Sequence, residues 1–92
     1  MGIRVRIPPC LRQVTDTSTV EIEAQSLGEA IEKLEDLFPG IKRELTDQDG
    51  RLLSSAFDFY ISGKSSYPSS PTMSLNRGDE IIIIPLGIEV GG

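Results

Sequence analysis

The residues that end the chain form a chemically distinctive pattern. Gly91 and Gly92 follow a spacer at residues 86–90, which itself follows Pro85 and an apolar run at 81–84. A terminal carboxylate is a poor electrophile, but adenylation would give it a good leaving group. Because glycine has no Cβ, a glycine pair can enter a narrow active-site channel in conformations closed to other residues. The pattern favours a chain whose carboxylate another protein activates, although a frayed end or a cloning remnant would also leave two glycines.

Two short motifs resemble ligand-binding sequences but lack the context that such sites need. A phosphate-binding loop ending at Gly63-Lys64-Ser65 needs a glycine where this chain has Asp58, and it needs a helix directly afterwards. The tripeptide at residues 77–79 spells an adhesion motif, but Gly-Asp before a strand is ordinary turn chemistry. We predict a turn at both places.

Side chains suited to catalysis or metal binding are scarce. The chain has one cysteine, Cys10, and no histidine, so it can form neither an internal disulfide nor a cysteine–histidine zinc site. Cys10 has no histidine to act as its base, and the acid pairs at 35–36 and 79–80 are expected on the solvated surface. We therefore expect no catalytic residue, no metal and no cofactor bound by this chain.

Length and charge narrow the class of protein further. With 92 residues, 38% of them hydrophobic and 25% charged, the chain is expected to form one small globular domain. A net charge of −5 disfavours nucleic acid as a partner. No apolar run approaches the roughly 20 residues of a membrane helix, and arginines stand where a signal peptide would be apolar. We expect a cytoplasmic monomer that contacts neither nucleic acid nor membrane.

Apolar periodicity predicts the strands that must position the C-terminal segment. Alternation predicts strands at 3–7, 20–24 and 57–61, of which the first two form a hairpin. Residues 81–84 do not alternate, and such a run indicates a strand buried on both faces, in the middle of the sheet beside the first. Between these strands we expect a loop at 10–17, a short helical turn at 41–45, turns at 47–50 and 76–79, and a loop with at most a short edge strand at 62–71.

One amphipathic helix is the strongest local prediction. Ser26 and Glu29 form a capping box at its start, and Pro39-Gly40 ends it. Apolar residues recur behind the cap at spacings of three and four, which places them on one helix face. That face is expected to cover a sheet and comprises Leu27, Ala30, Ile31, Leu34, Leu37 and Phe38.

In their order and spacing, these features resemble the MoaD/ThiS family of ubiquitin-like sulfur carriers. The matching segments span essentially the whole chain and are IRVRIPPCLRQVT, SLGEAIEKLEDLFPGI, FDFYISG, LNRGDEIIIIP and the terminal Gly-Gly. The resemblance implies an α+β fold of the β-grasp type, a mixed sheet of four to five strands with one main helix packed across one face. It implies that the first and last strands are parallel and central, with a β-grasp domain at 1–85 and a flexible C-terminal tail at 86–92.

The resemblance also implies a carrier rather than an enzyme. A ubiquitin-activating-type partner would use ATP and Mg to adenylate the carboxylate of Gly92, and a sulfur donor would convert it to a thiocarboxylate. That sulfur would serve molybdopterin, thiamine or cysteine synthesis, or tRNA thiolation. The extra length at 41–55 is closer to the MoaD branch or to the small archaeal modifier proteins. The implied further partners are therefore a synthase large subunit or the lysines of target proteins.

The C-terminal spacer departs from the family pattern. Five residues separate Pro85 from Gly91, more than is usual in the family; Val90 replaces the common small residue, and Glu89 adds a charge near the end. The seven residues beyond Pro85 could extend about 23 to 25 Å, which is ample for an active-site channel. The departure favours a general carrier or modifier over a standard synthase subunit.

Another class of function stays open at this point. A β-grasp interaction module could bind a partner through its sheet and carry an inert tail, and Phe57, Phe59 and Tyr60 are candidate contacts. The sequence does not decide which face of that strand is exposed. An RNA-binding β-grasp domain is disfavoured by the negative charge.

Overall fold

A computed structural model describes residues 2–47, 49, 52, 56–66 and 70–86. The predicted turn at 47–50 lies partly outside these residues, and the tail beyond Leu86 lies entirely outside them. The elements follow one another as β1 (Ile3–Arg6), a 3-10 helix (Pro9–Leu11), α1 (Arg12–Thr15), β2 (Thr19–Ile22), α2 (Leu27–Leu37), α3 (Ile41–Leu45), β3 (Phe57–Ile61), β4 (Lys64–Ser65) and β5 (Glu80–Pro85).

The strands form one mixed sheet in the order β2-β1-β5-β3-β4. β1 and β5 lie side by side and parallel, with Val5 opposite Ile81, while the other three pairs are antiparallel. The predicted hairpin of the first two strands is confirmed, and so is the central, parallel position of the last strand. β4 is the short edge strand that the sequence allowed between residues 62 and 71.

Helix α2 begins where the capping box predicts. The Ser26 hydroxyl accepts the backbone N–H of Glu29 at 3.1 Å, which satisfies one of the free donors of the first turn. The Glu29 carboxylate reaches back to the N–H of Gln25 at 2.8 Å rather than to that of Ser26. After α2 ends at Leu37, Gly40 adopts a left-handed conformation with φ of +107° and leads into α3.

The core lies between α2 and one face of the sheet. Its largest fully buried side chains come from β1, β3, β5 and the helices, because alternate strand residues face α2. The buried apolar residues are Ile3, Val5, Ile7, Leu11, Ile22, Leu27, Ala30, Ile31, Leu34, Ile41, Leu45, Phe59, Leu75, Ile81 and Ile83.

Two local predictions are wrong. Residues 10–17, expected as a loop, are mostly helical, because the 3-10 helix and α1 bury Leu11 and Thr15 against the fold. Leu37 was expected in the core, but its side chain is 52% exposed. The helix ends at Leu37, and Phe38, in a non-helical conformation, packs against the core in its place.

Candidate functional site

The last strand delivers the C-terminal segment to one end of the sheet. Pro85, the final residue of β5, lies opposite Phe57, the first residue of β3. The backbone N–H of Leu86 donates to the carbonyl oxygen of Ala56 at 2.8 Å, which continues the pairing by one residue. The predicted site at residues 91–92 lies outside the described residues, so that prediction stays a prediction. The chain therefore leaves the described fold from an anchored position.

An apolar strip, made of Tyr60, Ile82 and Ile84, lies beside this exit on the face of the sheet opposite α2. Tyr60 is directly opposite Ile82 in the β3–β5 pair. Ile81 and Ile83 are each only 2% exposed, whereas the three strip residues are half-buried. Alternate side chains of a strand point to opposite faces, so half of the isoleucine run must lie on this open face. The prediction that residues 81–84 are buried on both faces is therefore wrong, although the strand is central.

The strip is bordered by a fixed carboxylate on β3. Asp58 lies opposite Ile84 on the open face and is only 5% exposed. The N–H of Phe59 donates to Oδ1 at 2.7 Å, and the Ser65 hydroxyl donates to Oδ2. These bonds compensate the cost of burying a charged group. Phe59 faces the core and is 1% exposed, so the aromatic residue that β3 offers to the open face is Tyr60.

The part of the open face that lies on β1, β2 and the first residue of β5 is charged. We call Arg4, Arg6, Glu21 and Glu80 the charged half. Arg4 Nη2 lies 3.4 Å from Glu21 Oε2, and Arg6 Nε donates to Glu80 Oε2 at 2.8 Å, which links the parallel strands β1 and β5. Such exposed pairs each contribute about 0 to 1 kcal/mol to stability. Their main consequence is that the open face has an apolar part near the tail exit and a polar part away from it.

The start of α2 is closed by the segment that precedes β5. The N–H of Leu27 donates to the carbonyl of Met73 at 2.9 Å, and the N–H of Gly28 donates to that of Pro71 at 2.8 Å. A Cβ on Gly28 would lie 3.0 Å from both the Cβ and the carbonyl oxygen of Pro71, so glycine permits this contact. A helix N-terminus can bind an anion, but the first amides of α2 already donate within the chain.

The end of α2 is held by a carboxylate. Glu35 accepts the N–H groups of Lys42 at 2.9 Å and of Gly40 at 3.1 Å. Both hydrogen bonds lower the pKa of the Glu35 carboxyl, and the bond from Lys42 has the larger effect. The Lys42 ammonium in turn contacts Glu32, and this hydrogen bond raises the pKa of Lys42. The network fixes the angle between α2 and α3 on the side of the protein away from the open face.

Neither of the two motif-like tripeptides forms a ligand site: the turn predicted at 77–79 is confirmed, whereas at 63–65 only Gly63 lies in a turn and Lys64 and Ser65 form β4. The Asp79 carboxylate accepts the N–H of Asn76 at 2.8 Å and the Ser62 hydroxyl at 2.7 Å, so it is committed to the turn before β5. Gly78 in this turn has φ of +89°, a conformation that favours glycine. Lys64 belongs to edge strand β4 rather than to a loop that opens a helix. Neither motif has the structure that its namesake function requires.

The described part of the chain has neither a metal-binding cluster nor a membrane-spanning helix. Within residues 2–47, 49, 52, 56–66 and 70–86, no three histidine, cysteine or acidic side chains gather in a way that could hold a metal ion. No helix among these residues has the length and apolar composition to cross a membrane. Cys10 is exposed on the 3-10 helix as a free thiol. We take the open face together with the exit of the C-terminal segment as the candidate site.

This architecture defines the class of protein. A mixed five-stranded sheet with parallel central β1 and β5 and one main helix packed across one face is the β-grasp fold of ubiquitin-like proteins. The fold predicted from the sequence is confirmed. No protein-family model matches the chain, and no curated protein matches it significantly.

Solved structures show which β-grasp proteins this chain resembles. CysO in the crystal structure of the Amycolatopsis orientalis BexX/CysO complex superposes with a TM-score of 0.86 at 26% identity, over 99% of this chain and 100% of that chain. Mycobacterium tuberculosis CysO gives a TM-score of 0.83 at 26% identity, over 92% and 99%. SAMP1 from Haloferax volcanii gives 0.81 at 19% identity, over 100% of both chains. The resemblance to ubiquitin-like sulfur carriers is thereby confirmed.

Proposed function

We propose that this chain is a ubiquitin-like sulfur carrier whose working group is the carboxylate of Gly92. A ubiquitin-activating-type enzyme uses Mg-ATP to join this carboxylate to AMP and releases pyrophosphate. A sulfur donor then displaces AMP and leaves a thiocarboxylate. That sulfur passes to an acceptor in cofactor biosynthesis or tRNA thiolation, and the reaction belongs to the reducing cytoplasm. The chain supplies the reacting group and a docking surface, while the partner supplies the nucleotide site.

The observation that carries this proposal is the position of the apolar strip. Ile84 lies one residue before Pro85, on the face that α2 leaves open, so a partner that covers the strip sits beside the start of the tail. Apolar side chains left at such a surface favour protein contacts. The seven residues beyond Pro85, about 23 to 25 Å when extended, are long enough to bridge from this contact to a separate nucleotide site.

The structural neighbours support a partnership with a second protein. CysO at 26% identity was crystallised in a complex with BexX. This chain superposes on that CysO over 99% of its length, so it offers the same backbone framework to a partner.

An intact-mass experiment tests the proposal. The full-length chain is incubated with its ubiquitin-activating-type enzyme, Mg-ATP and a sulfide donor. We expect pyrophosphate release, a transient acyl-adenylate, and then the mass change of one oxygen replaced by sulfur at Gly92. The matched control carries one alanine after Gly92, which hides the carboxylate while leaving the fold unchanged. Failure of the unmodified chain to gain either AMP or sulfur would overturn the proposal.

A β-grasp interaction module with an inert tail is the main alternative, and a truncation distinguishes it. Removal of Gly91 and Gly92 leaves the described core intact, so the circular dichroism spectrum should not change. A carrier loses all activity on this truncation, whereas a module keeps its affinity for its partner.

A second candidate function is conjugation of Gly92 to lysines of target proteins. The neighbour from Haloferax volcanii is a small archaeal modifier protein by name, although at 19% identity the likeness concerns the fold. The long spacer with Glu89 also departs from the standard carrier pattern. An isopeptide bond between Gly92 and a target lysine, found by peptide mapping, would identify this function.

A further inference from the structure

The chain contains three side-chain amines that an activated carboxylate could acylate, Lys33, Lys42 and Lys64. An acyl-adenylate or acyl-sulfur group reacts with the deprotonated form of an amine. If Gly92 is activated as proposed above, a second copy of this chain is one of the amines that it meets. The three lysines differ in surroundings, and these differences decide which one reacts.

Lys42 is the least suited of the three. Its ammonium contacts the carboxylate of Glu32, and this interaction raises its pKa. A raised pKa lowers the fraction of neutral amine at pH 7 to 8. Acylation would also break the ion pair, and the backbone of Lys42 is bound to Glu35 in the turn between α2 and α3.

Lys33 lies within an acidic surface. On α2, Glu29 and Asp36 are four residues before and three residues after it, so all three side chains share one exposed side of the helix. Lys33 and Glu29 also line an open cavity of about 560 Å³ together with Glu23. The approaching tail carries Glu89 three residues before Gly92, so this acidic surface repels the activated segment whichever leaving group it bears.

Lys64 stands in different surroundings. It lies on β4, the outermost strand of the sheet, and its side chain is exposed. Its chain neighbours from 62 to 66 are serine or glycine, without charge. Asp58 and Asp79, which contact Ser65 and Ser62 on either side of Lys64, each accept hydrogen bonds from a serine hydroxyl and a backbone N–H. No ion pair to Lys64 is formed within the described residues.

The position of Lys64 also leaves the candidate site free. Lys64 pairs with Ile61, which lies opposite Ile81 at the beginning of β5. Pro85 is four residues further along that strand, about 14 Å away at the rise of a β-strand. A group attached to Lys64 is therefore at the far end of the sheet from the tail exit and from Ile84.

We infer that Lys64 is the amine at which one copy of this chain accepts the activated Gly92 of another. This inference rests on the proposed activation of Gly92. In the step, the Lys64 nitrogen attacks the Gly92 carbonyl carbon, an amide bond forms, and AMP leaves with the bonding electrons while water or the enzyme takes the amine proton. The oxidation state of every atom is unchanged. Because the acceptor copy keeps its own tail and strip accessible, the product can in turn be activated, and chains of the protein can grow.

A chemically activated chain tests this inference without the activating enzyme. The full-length protein is prepared with Gly92 as a thioester and mixed with an equal amount of unactivated protein at pH 8. We expect a covalent dimer, and after cleavage at Glu89 a Val-Gly-Gly remnant, mostly on Lys64. With Lys64→Arg in both the activated and the unactivated copy most of the dimer should be lost, while Lys33→Arg in both copies should leave it. A small amine such as ethylamine is the control that shows the thioester to be reactive.

Three results would overturn the assignment. These are a remnant spread evenly over the three lysines, a dimer that persists in Lys64→Arg, and a reactive thioester that acylates ethylamine but no lysine. Intact mass separates a dimer from an internal ring, which a tail of seven residues is long enough to form, and a ring would also count against transfer between copies. The thioester bypasses adenylation, so the two proposals can fail separately. If Lys64 is not acylated, the proposal that Gly92 carries sulfur still stands. If the enzyme does not adenylate Gly92, the preference of the thioester for Lys64 can still be measured.

Discussion

The carboxylate of Glu35 accepts the backbone N–H of Lys42 at 2.9 Å and thereby joins the end of α2 to the beginning of α3. It also accepts the N–H of Gly40, at 3.1 Å from Oε2, so one side chain serves two donors of the turn. The N-cap residue of α3 is Gly40, which has no side chain that could accept a hydrogen bond from the helix. A residue in the preceding helix therefore performs the capping that serine or aspartate usually provides.

Replacing Glu35 with glutamine should lower stability at neutral pH and change its pH dependence. The hydrogen bonds lower the pKa of Glu35 in the folded protein, so the ionised form stabilises the fold. This contribution is complete above the unfolded pKa of about 4.3 and is lost as the pH falls through the lower folded value. Urea titrations from pH 7 to pH 3 should show the wild-type advantage narrowing below about pH 4.

Asp36→Asn is the matched control for this prediction. Asp36 is an exposed acid one position along the same helix. Its removal deletes the same charge without removing the turn contacts, so its stability difference from wild type should be smaller. Equal effects of both substitutions at every pH would contradict the capping role of Glu35.

Gly28→Ala should destabilise the protein, which is the reverse of the usual effect in a helix. Alanine is normally about 0.8 to 1.0 kcal/mol better than glycine in a helix interior. Here the new Cβ would lie 3.0 Å from the carbonyl oxygen of Pro71, and the Gly28 N–H donates to that same oxygen at 2.8 Å. Overpacking of this kind costs about 1 to 3 kcal/mol. The melting temperatures of Gly28→Ala and of Lys33→Ala, an exposed position of α2, are each compared with that of the wild type. A melting temperature above wild type for Gly28→Ala would refute the close contact.

The parts of the fold that could be predicted from the sequence are the strands and helices whose two faces carry different kinds of side chain. Arg4 and Arg6 alternate with buried residues and so identify β1, and Ser26 with the apolar spacing behind it identifies α2. In residues 81–84 both faces carry isoleucine, so the sequence has no contrast from which the open face could be recognised. The central position of β5 was still predictable, because the apolar run is continuous.

Other features depend on contacts that periodicity does not contain. A four-residue helix such as α1 is too short to show a repeat, so residues 10–17 resembled a loop. Asp58 is buried because Ser65, seven residues away on the adjacent strand, reaches its carboxylate. Leu37 is exposed at the last residue of α2. A sequence shows that a helix exists more reliably than it shows where the helix ends. The glycine pair at 91–92 is the reverse case, since its proposed role comes from sequence and chemistry alone.

The open-face assignment predicts a contrast between two adjacent isoleucines. Ile83 is 2% exposed in the core, so Ile83→Ala should cost about 2 to 5 kcal/mol of unfolding free energy. Ile82 is half-buried on the other face and opposite Tyr60, so Ile82→Ala should cost clearly less. Urea denaturation of both variants measures the difference. Similar large losses at both positions would mean that both faces of β5 are covered.

Asp58 and Ser65 should be energetically coupled. Their hydrogen bond joins β3 to edge strand β4, and the carboxylate is 5% exposed. Asp58→Asn should cost about 1 to 3 kcal/mol of unfolding free energy. The amide nitrogen of asparagine replaces one of the two accepting oxygens and cannot accept a hydrogen bond. A double-mutant cycle with Ser65→Ala should give a coupling energy of about 0.5 to 3 kcal/mol. Additive losses would show that the two side chains act independently.

If the apolar strip docks the activating enzyme, a charge placed on it should slow adenylation of Gly92. Ile84→Asp puts a carboxylate beside Asp58 at the tail exit while leaving the core residues Ile81 and Ile83 unchanged. Loss of a central apolar contact of about 1 to 2 kcal/mol corresponds to a roughly 5- to 30-fold lower kcat/KM. Leu37→Asp is the control, since Leu37 is an exposed apolar residue of α2, the helix that covers the opposite face of the sheet. With ATP and pyrophosphate release as the readout, Ile84→Asp should raise KM for the carrier, whereas Leu37→Asp should not. Equal rates for both variants would mean that the enzyme recognises the tail without the open face.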